Sequence, residues 1–255
     1  MIAAIVQARM GSTRLPGKTL ADVAGKPMLA RLVERAWRIT GVERVVIATT
    51  EKPADDAILR FAADHDLPAY AGHEEDVLDR FYRAARRFGV SVVVRVTPDC
   101  PLLDPAVSSR VLAKFLEAGG VLDYVSNTQP PTFPDGLDTE VFSFPALERA
   151  WHEARLVSER EHVTAYIWKH PELFRLLNVA HEADLSDRRW TVDELPDLEF
   201  VRAIYDRLGE TFGMDDVLAL VRRQPELQAI NQGAARNEGY ANAVRADGAP
   251  PERRR

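Results

Sequence analysis

The sequence predicts an α/β fold, a single domain with a mostly parallel central sheet flanked by helices. Three observations point to it. Ile2 to Val6 is a short apolar run rich in β-branched residues, the composition of a strand buried on both faces. After a glycine-bearing loop, Lys26 to Arg38 carries Leu29, Leu32, Val33 and Ala36 at helical spacing with a proline near its start. Arg44 to Thr50 is a second strand-like run, so strand, loop, helix and strand follow one another as in the βαβ unit of a doubly wound sheet.

The rest of the chain continues the alternation. Pro53 to Asp66, with Ile58, Leu59, Phe61 and Ala62, predicts an amphipathic helix, and Pro68 to Ala71 a short strand. Gly72 to Arg87 opens with acids and closes with arginines, the polarity a helix dipole favours. Arg80 within it reads as an i,i+4 partner of Asp76. Val92 to Val96 is expected at the centre of the sheet, with Asp99 just past its carboxyl end, where ligands lie in such sheets. Asp104 is placed to cap a helix from Val107 to Ala118, and Asp123 to Asn127 reads as another strand. Turn formers fill Thr128 to Gly136, a boundary or a lid. In Leu137 to Pro145, Leu137, Thr139 and Val141 alternate with Asp138 and Glu140, which fall on the opposite face.

Helices are expected from Pro145 to Arg155 and from Ser158 to Trp168, the second opened by a capping box of Ser158 and Glu161 and carrying His162. Arg188 to Asp193 reads as a basic start, a strand and an exit aspartate, followed by a helix from Glu194 to Tyr205 with an acidic first turn. Asp215 to Arg223 is expected as a helix and Pro225 to Ile230 as a short turn. Ala246 to Arg255 has no apolar periodicity and is expected as a disordered tail.

Composition narrows the function classes. The chain has 255 residues, 46% of them hydrophobic, enough for one sizeable core. A net charge of −6 with mixed signs argues against a general binder of nucleic acid or anionic membranes. No basic segment precedes a long apolar stretch and no run approaches the ~18 apolar residues of a membrane span, so neither a signal peptide nor a membrane helix is expected. Cys100 is the single cysteine, which excludes an internal disulfide and fits a reducing cytoplasm. Nothing next to it would activate it, and a packed thiol is expected.

Positive charge is concentrated in the loop after the first strand, which holds Arg9, Gly11, Ser12, Arg14, Pro16, Gly17 and Lys18. Gly11 and Gly17 let backbone amides approach an anion, Ser12 adds a hydroxyl, and Arg9, Arg14 and Lys18 suit phosphate oxygens. The natural ligand is a polyphosphate. The loop is neither a Walker loop nor the dinucleotide glycine pattern, since the spacing of both is missing.

The run Ala8-Arg-Met-Gly-Ser-Thr-Arg-Leu-Pro-Gly-Lys18 resembles the signature loop of the CMP-sugar synthetases, the cytidylyltransferases that activate 3-deoxy-manno-octulosonate and acylneuraminates, most closely their spore coat polysaccharide (SpsF-type) branch. The resemblance extends from residue 1 to about residue 245. It implies a Rossmann-like nucleotidyltransferase domain of the nucleotide-diphospho-sugar transferase type, similar to GT-A folds, with an acceptor-binding and dimerisation part at about residues 130–185. It implies transfer of CMP from CTP to an acidic sugar, with Mg²⁺ as cofactor and a homodimer as assembly. On the matching positions, Ala8, Arg9, Gly11, Ser12, Arg14 and Lys18 would bind nucleotide, Arg9 and Lys18 serving catalysis. Arg80 lies in the helix where the family has an arginine near the nucleotide, and Thr49 and Thr50 end the second strand as base or ribose contacts. Asp99 matches the metal-binding aspartate of a Gly-Asp-x-Pro loop and Asp193 that of an Asp-Thr-Pro motif. Asp138, Glu140 and His162 fall on the acceptor side.

The chain departs from the pattern in two places. Pro98 stands at the glycine position of the first motif and has no amide to donate, and Glu194 and Leu195 replace the residues before Pro196. Asp99 read by itself could also cap a turn, and Asp193 a helix. The rival readings are a nucleotidyltransferase with another base or a non-sugar acceptor, a GT-A-type glycosyltransferase, and a degenerate nucleotide-binding subunit. A glycosyltransferase would usually carry an Asp-x-Asp motif after a strand, which is absent from that place. No residue stands out as a general base, and a metal-bound acceptor hydroxyl would not require one.

Overall fold

The computed structural model describes residues 1–231 and 238–248. Its elements run β1 (Ile2–Gln7), a small hairpin of β2 (Asp22–Val23) and β3 (Lys26–Pro27), α1 (Met28–Ala36), β4 (Arg44–Thr50), α2 (Asp56–Asp64), β5 (Ala69–Gly72), α3 (Val77–Arg87), β6 (Val92–Val96) and α4 (Pro105–Glu117). The second half holds β7 (Tyr124–Ser126), β8 (Glu140–Ser143), α5 (Phe144–Glu153), α6 (Val157–Glu161), α7 (Ala165–Lys169), β9 (Leu176–Asn178), α8 (Leu195–Leu208), α9 (Met214–Arg223) and α10 (Glu238–Asp247). The first βαβ unit is as expected from its apolar runs, and β6 is the middle strand of a seven-stranded sheet ordered β5-β4-β1-β6-β8-β7-β9. Strands β5, β4, β1 and β6 are parallel, while β8 runs antiparallel to both β6 and β7.

Alternation along β1 explains why both faces are covered. Ala4 and Val6 pack with α1, α2 and α4, whereas Ala3 and Ile5 pack with α3, α5 and α7. A third apolar cluster gathers α8 and α9 around Phe133, Leu137 and Trp190, tying the 130s loop and the 190s segment to one support. Asp104 caps α4 as expected, its Oδ1 accepting from Ala106 N at 2.7 Å, and its Oδ2 also accepts from Met214 N at 2.6 Å.

Several local expectations are corrected. The predicted helix from Ser158 to Trp168 is two short helices broken at residues 162–164, where Val163 has a φ of 20°. The Ser158 and Glu161 box does not form. Glu159 instead accepts from the amides of Arg155 and Leu156, and Ser158 is spent on Asp247, which accepts its amide at 2.8 Å and its hydroxyl at 2.6 Å. Residues 188–193 form no strand; their sheet-like pairing is confined to an isolated bridge between Asp135 and Arg189. The expected tail from residue 246 begins inside α10, which runs to Asp247, and residues 249–255 lie outside the described part.

Gly136 makes the meeting of the two loops possible. Its φ is +111°, and a Cβ there would lie 2.7 Å from the carbonyl carbon of Trp190. Only glycine tolerates both that backbone and that approach.

Candidate active site

Parallel strands β1, β4 and β6 release their loops at one edge of the sheet, and the site is assembled there. Residues 8–18 fold into a compact loop. Ser12 N and Gly17 N both donate to the Met10 carbonyl, at 2.9 and 3.2 Å, and Ser12 Oγ accepts from Leu15 N at 3.3 Å. Gly17 takes a positive φ of 75°, which a residue with a side chain rarely adopts. The loop is anchored by Asp55, a buried carboxylate that accepts from Met10 N at 2.6 Å and also bonds the Thr50 hydroxyl. Nothing in the sequence pointed to Asp55, since its neighbours mark only a helix start.

The loop brings Lys18 to the two aspartates. Lys18 Nζ donates to Asp193 Oδ1 at 2.9 Å and to the Val192 carbonyl at 2.6 Å, and lies 3.8 Å from Asp99 Oδ2. The aspartates are held in common register because Asp99 O accepts from Val192 N at 2.8 Å and from Thr191 Oγ1 at 3.3 Å. Two carboxylates far apart in the chain thus flank one ammonium.

Around Asp193 the charge is concentrated. Arg14 Nη2 is 3.1 Å from its Oδ1, and Arg189 Nη2 donates to its Oδ2 at 3.0 Å. Burial pushes the Asp193 carboxyl up, but Lys18, Arg14 and Arg189 outweigh that and hold it below the usual aspartate value. Asp193 does not cap α8. That task falls to Asp197, which accepts from the amides of Asp193 at 2.9 Å and Glu194 at 3.0 Å, leaving the Asp193 carboxylate to the cations. Sequence reasoning missed Asp197 and Arg189 as members of the site, although the pair Arg188-Arg189 before Asp193 was a basic signal.

Arg9 is half exposed at the loop's outer side, 3.7 Å from Glu74 Oε1. Lys52 also pairs with Glu74 and lowers its carboxyl. Arg80 is placed differently from its expectation. It is buried and does not pair with Asp76; its Nη1 donates to the carbonyls of His73 at 2.8 Å and Glu74 at 3.2 Å, and Asp76 is bound by Arg160 instead. Burial, with the neighbouring Arg9 charge, pulls Arg80 down to about 10. Thr49 and Thr50 are buried as well, and the Thr49 hydroxyl finds no partner among the described residues.

On the β6–β8 seam, Glu140 does not face water. It is buried, pairs with Arg95, and accepts from Tyr124 OH at 2.6 Å and Thr164 Oγ1 at 2.5 Å. Arg95 also donates to Gln7 Oε1, at 3.2 Å from Nη2. His162 lies at the break after α6 with its ring edge-on to Tyr240 of α10. Burial and the nearby Arg95 charge lower it to about 4, and its Nε2 has no hydrogen-bond partner among the described residues. Asp138 belongs to the loop leading into β8. Cys100 is a buried thiol pushed well up by burial, as expected of a packed cysteine.

Asp99 and Asp193 converge on one point marked by the Lys18 ammonium, which shows that the pair presents its carboxylates to a cation. Mg²⁺ takes one or two protein carboxylates and completes its shell with water and phosphate oxygens, so this donor set fits it. Among the described residues no helix is long and apolar enough to cross a membrane.

Residues 3–204 match the family model described as cytidylyltransferase. The chain is 32% identical over 231 residues to the spore coat polysaccharide biosynthesis protein SpsF of Bacillus subtilis, across 87% of this chain and 94% of that protein. It is 38% identical over 120 residues to the 3-deoxy-manno-octulosonate cytidylyltransferase of Trichlorobacter lovleyi, an alignment spanning 47% of each. Among solved structures, a cytidylyltransferase from Leptospira borgpetersenii is similar with a TM-score of 0.86 and 31% identity, covering 92% of this chain and 98% of that one.

Proposed function

The chain belongs to the cytidylyltransferase family, and from that premise we propose that it transfers CMP from CTP to an acidic sugar and releases pyrophosphate. The observation that supports this most is the meeting of Lys18 with Asp99 and Asp193 at the carboxyl edge of β1 and β6. In the reaction an acceptor hydroxyl oxygen forms a bond to the α-phosphorus while the α–β anhydride bond breaks. Pyrophosphate departs with the bonding electrons, and the hydroxyl loses its proton.

Nucleotidyl transfer depends on charge neutralisation and alignment more than on covalent help. Arg9 and Arg14, both partly exposed on the loop, are available to the triphosphate, and Lys18 to the departing pyrophosphate. Ser12 shapes the loop from within by closing on Leu15 N. Asp99 and Asp193 would hold Mg²⁺, which when bound neutralises phosphate oxygens and eases loss of the acceptor proton. Arg189 keeps Asp193 turned toward that point through its own grip on Asp197. Buried as they are, Arg80 and Asp55 act through the loops they hold, and Thr49 and Thr50 lie behind them.

On the acceptor side, Arg95 is oriented by Glu140 and Gln7 on the seam leading to the Asp99 loop, with His162 behind it and Asp138 beside it in sequence to Thr139 and Glu140. A homodimer built on about residues 130–185 and a cytoplasmic location belong to the same reading; light scattering of the purified chain tests the first. The domain is read as residues 1–245.

The test is thermal stabilisation by CTP, UTP, ATP and GTP, each with and without Mg²⁺, followed by pyrophosphate release with a panel of acidic sugars. A ligand at a hundred times its dissociation constant adds about 2.7 kcal/mol, which a melting curve resolves. A magnesium-dependent shift with CTP alone is expected. A shift with another nucleotide instead, or with none, would overturn the reading.

A further inference from the structure

The carboxylates assigned above to a divalent cation already share a cation of the chain. Lys18, only 12% exposed, bridges Asp193 Oδ1 at 2.9 Å and Asp99 Oδ2 at 3.8 Å, and Arg14 holds the same Asp193 oxygen at 3.1 Å. Arg189 takes the other oxygen at 3.0 Å. Both oxygens of Asp193 are therefore satisfied by positive charge before any metal arrives. A divalent ion placed between Asp99 and Asp193 would lie within a few ångströms of an ammonium in a half-buried site, where like charges repel strongly.

The three cations are not equivalent. Arg189 is fixed from behind by Asp197, which it bonds through Nε at 2.9 Å and Nη2 at 3.0 Å, and it lies 3.8 Å from Asp135. Its contacts with Asp197 do not involve the phosphate-binding loop. Lys18 and Arg14 belong to the loop that presents the phosphate-binding groups, and Arg14 is 39% exposed. A polyphosphate offers these two more negative charge than one carboxylate does, and a ligand shifts such an equilibrium only through this kind of differential attraction.

We infer that Lys18, helped by Arg14, is an internal counter-ion that keeps a divalent cation off the Asp99–Asp193 pair until a nucleoside triphosphate draws it away, so that metal loads with nucleotide and not before. The inference rests on the reading of this pair as a metal site. It follows that metal and nucleotide favour one another by the same factor, since coupling between two ligands is reciprocal.

The experiment is Mn²⁺ binding to the nucleotide-free chain, followed by the paramagnetic resonance signal of free Mn²⁺, for the wild type, Lys18→Met and the double variant Lys18→Met with Asp193→Asn. Removing one charge at this distance is expected to tighten Mn²⁺ binding roughly tenfold or more in Lys18→Met, and the second substitution to abolish the gain. Lys18→Gln serves if the methionine variant does not fold. Wild-type chain that binds Mn²⁺ as tightly as the lysine variant, or a variant that gains nothing, overturns the inference. Neither result touches the nucleotide melting experiment, whose failure would instead remove the cytidylyltransferase reading.

Discussion

Arg189 grips Asp197 with two parallel bonds, Nε to Oδ1 at 2.9 Å and Nη2 to Oδ2 at 3.0 Å, and the same Nη2 reaches Asp193. Asn231 closes the arrangement by donating to both the Arg189 carbonyl and Asp197 Oδ1. Replacing Arg189 by methionine leaves Asp197 buried with its amide donors but without its counter-charge, a loss on the order of 3–5 kcal/mol for such pairs. Urea denaturation should show it. Turnover should fall further than stability explains, because Asp193 loses the bond that aims it. Arg189→Lys, which keeps one charge but no fork, is expected to recover stability in part and turnover less.

Gly136 packs against Trp190 with no space for a methyl group. Gly136→Ala would put Cβ 2.7 Å from the Trp190 carbonyl carbon and hold alanine at a φ of +111°. Strain of this kind costs on the order of 1–3 kcal/mol, and relief requires the 190s segment to move. A lowered melting temperature is expected together with weakened nucleotide stabilisation, since Asp193 follows closely on Trp190 in the same segment. An alanine variant with wild-type melting and binding would show that the two loops need not touch.

Asp99 has few structural duties in its side chain. Among the described residues, beyond the distant Lys18 ammonium, it accepts a weak contact from the Cys100 thiol at 3.5 Å, while its backbone carbonyl ties the loop to Val192. Asp99→Asn should therefore melt like the wild type and lose pyrophosphate release by roughly a hundredfold or more, the scale of removing one electrostatic group at a reacting centre. Near-normal release would remove Asp99 from the metal reading.

Much of this was legible in the chain. Apolar runs long enough to be strands were enough to locate the sheet, because burial on both faces leaves little freedom in composition, and the basic loop directly after the first of them marked the edge where the candidate site lies. Asp104 was readable as a cap because capping depends on neighbours a few residues away. What stayed hidden depends on distant partners. Asp55 serves a loop 45 residues earlier, so nothing local announces it. Arg80 looked like a solvated helix charge because spacing reports which residues are adjacent on a helix, not which face is covered. Glu140 alternates as an exposed acid would, yet its partners Tyr124, Thr164 and Arg95 come from three other segments. The expected capping box failed because Asp247, remote in sequence, takes the Ser158 hydroxyl, and the helix is interrupted where Val163 has a φ of 20°.

His162 gives the fold a pH dependence separable from that of the aspartates. The unfolded imidazole takes up a proton below about pH 6.5, whereas the folded one, lowered by burial and by Arg95, does so only near 4. Between these values the unfolded chain binds more protons, so stability is full above pH 6.5 and falls as pH is lowered toward 4. The loss amounts to at most about 3 kcal/mol, from 1.36 kcal/mol per unit. Asp193 and Asp197, whose carboxyls are held below the ordinary 3.8, contribute stability that is lost only at lower pH still. Denaturation midpoints measured from about pH 7.5 to 4 should slope downward in the wild type and flatten over that range in His162→Gln. A slope unchanged by the substitution would assign the acid sensitivity to other groups and remove His162 from this role.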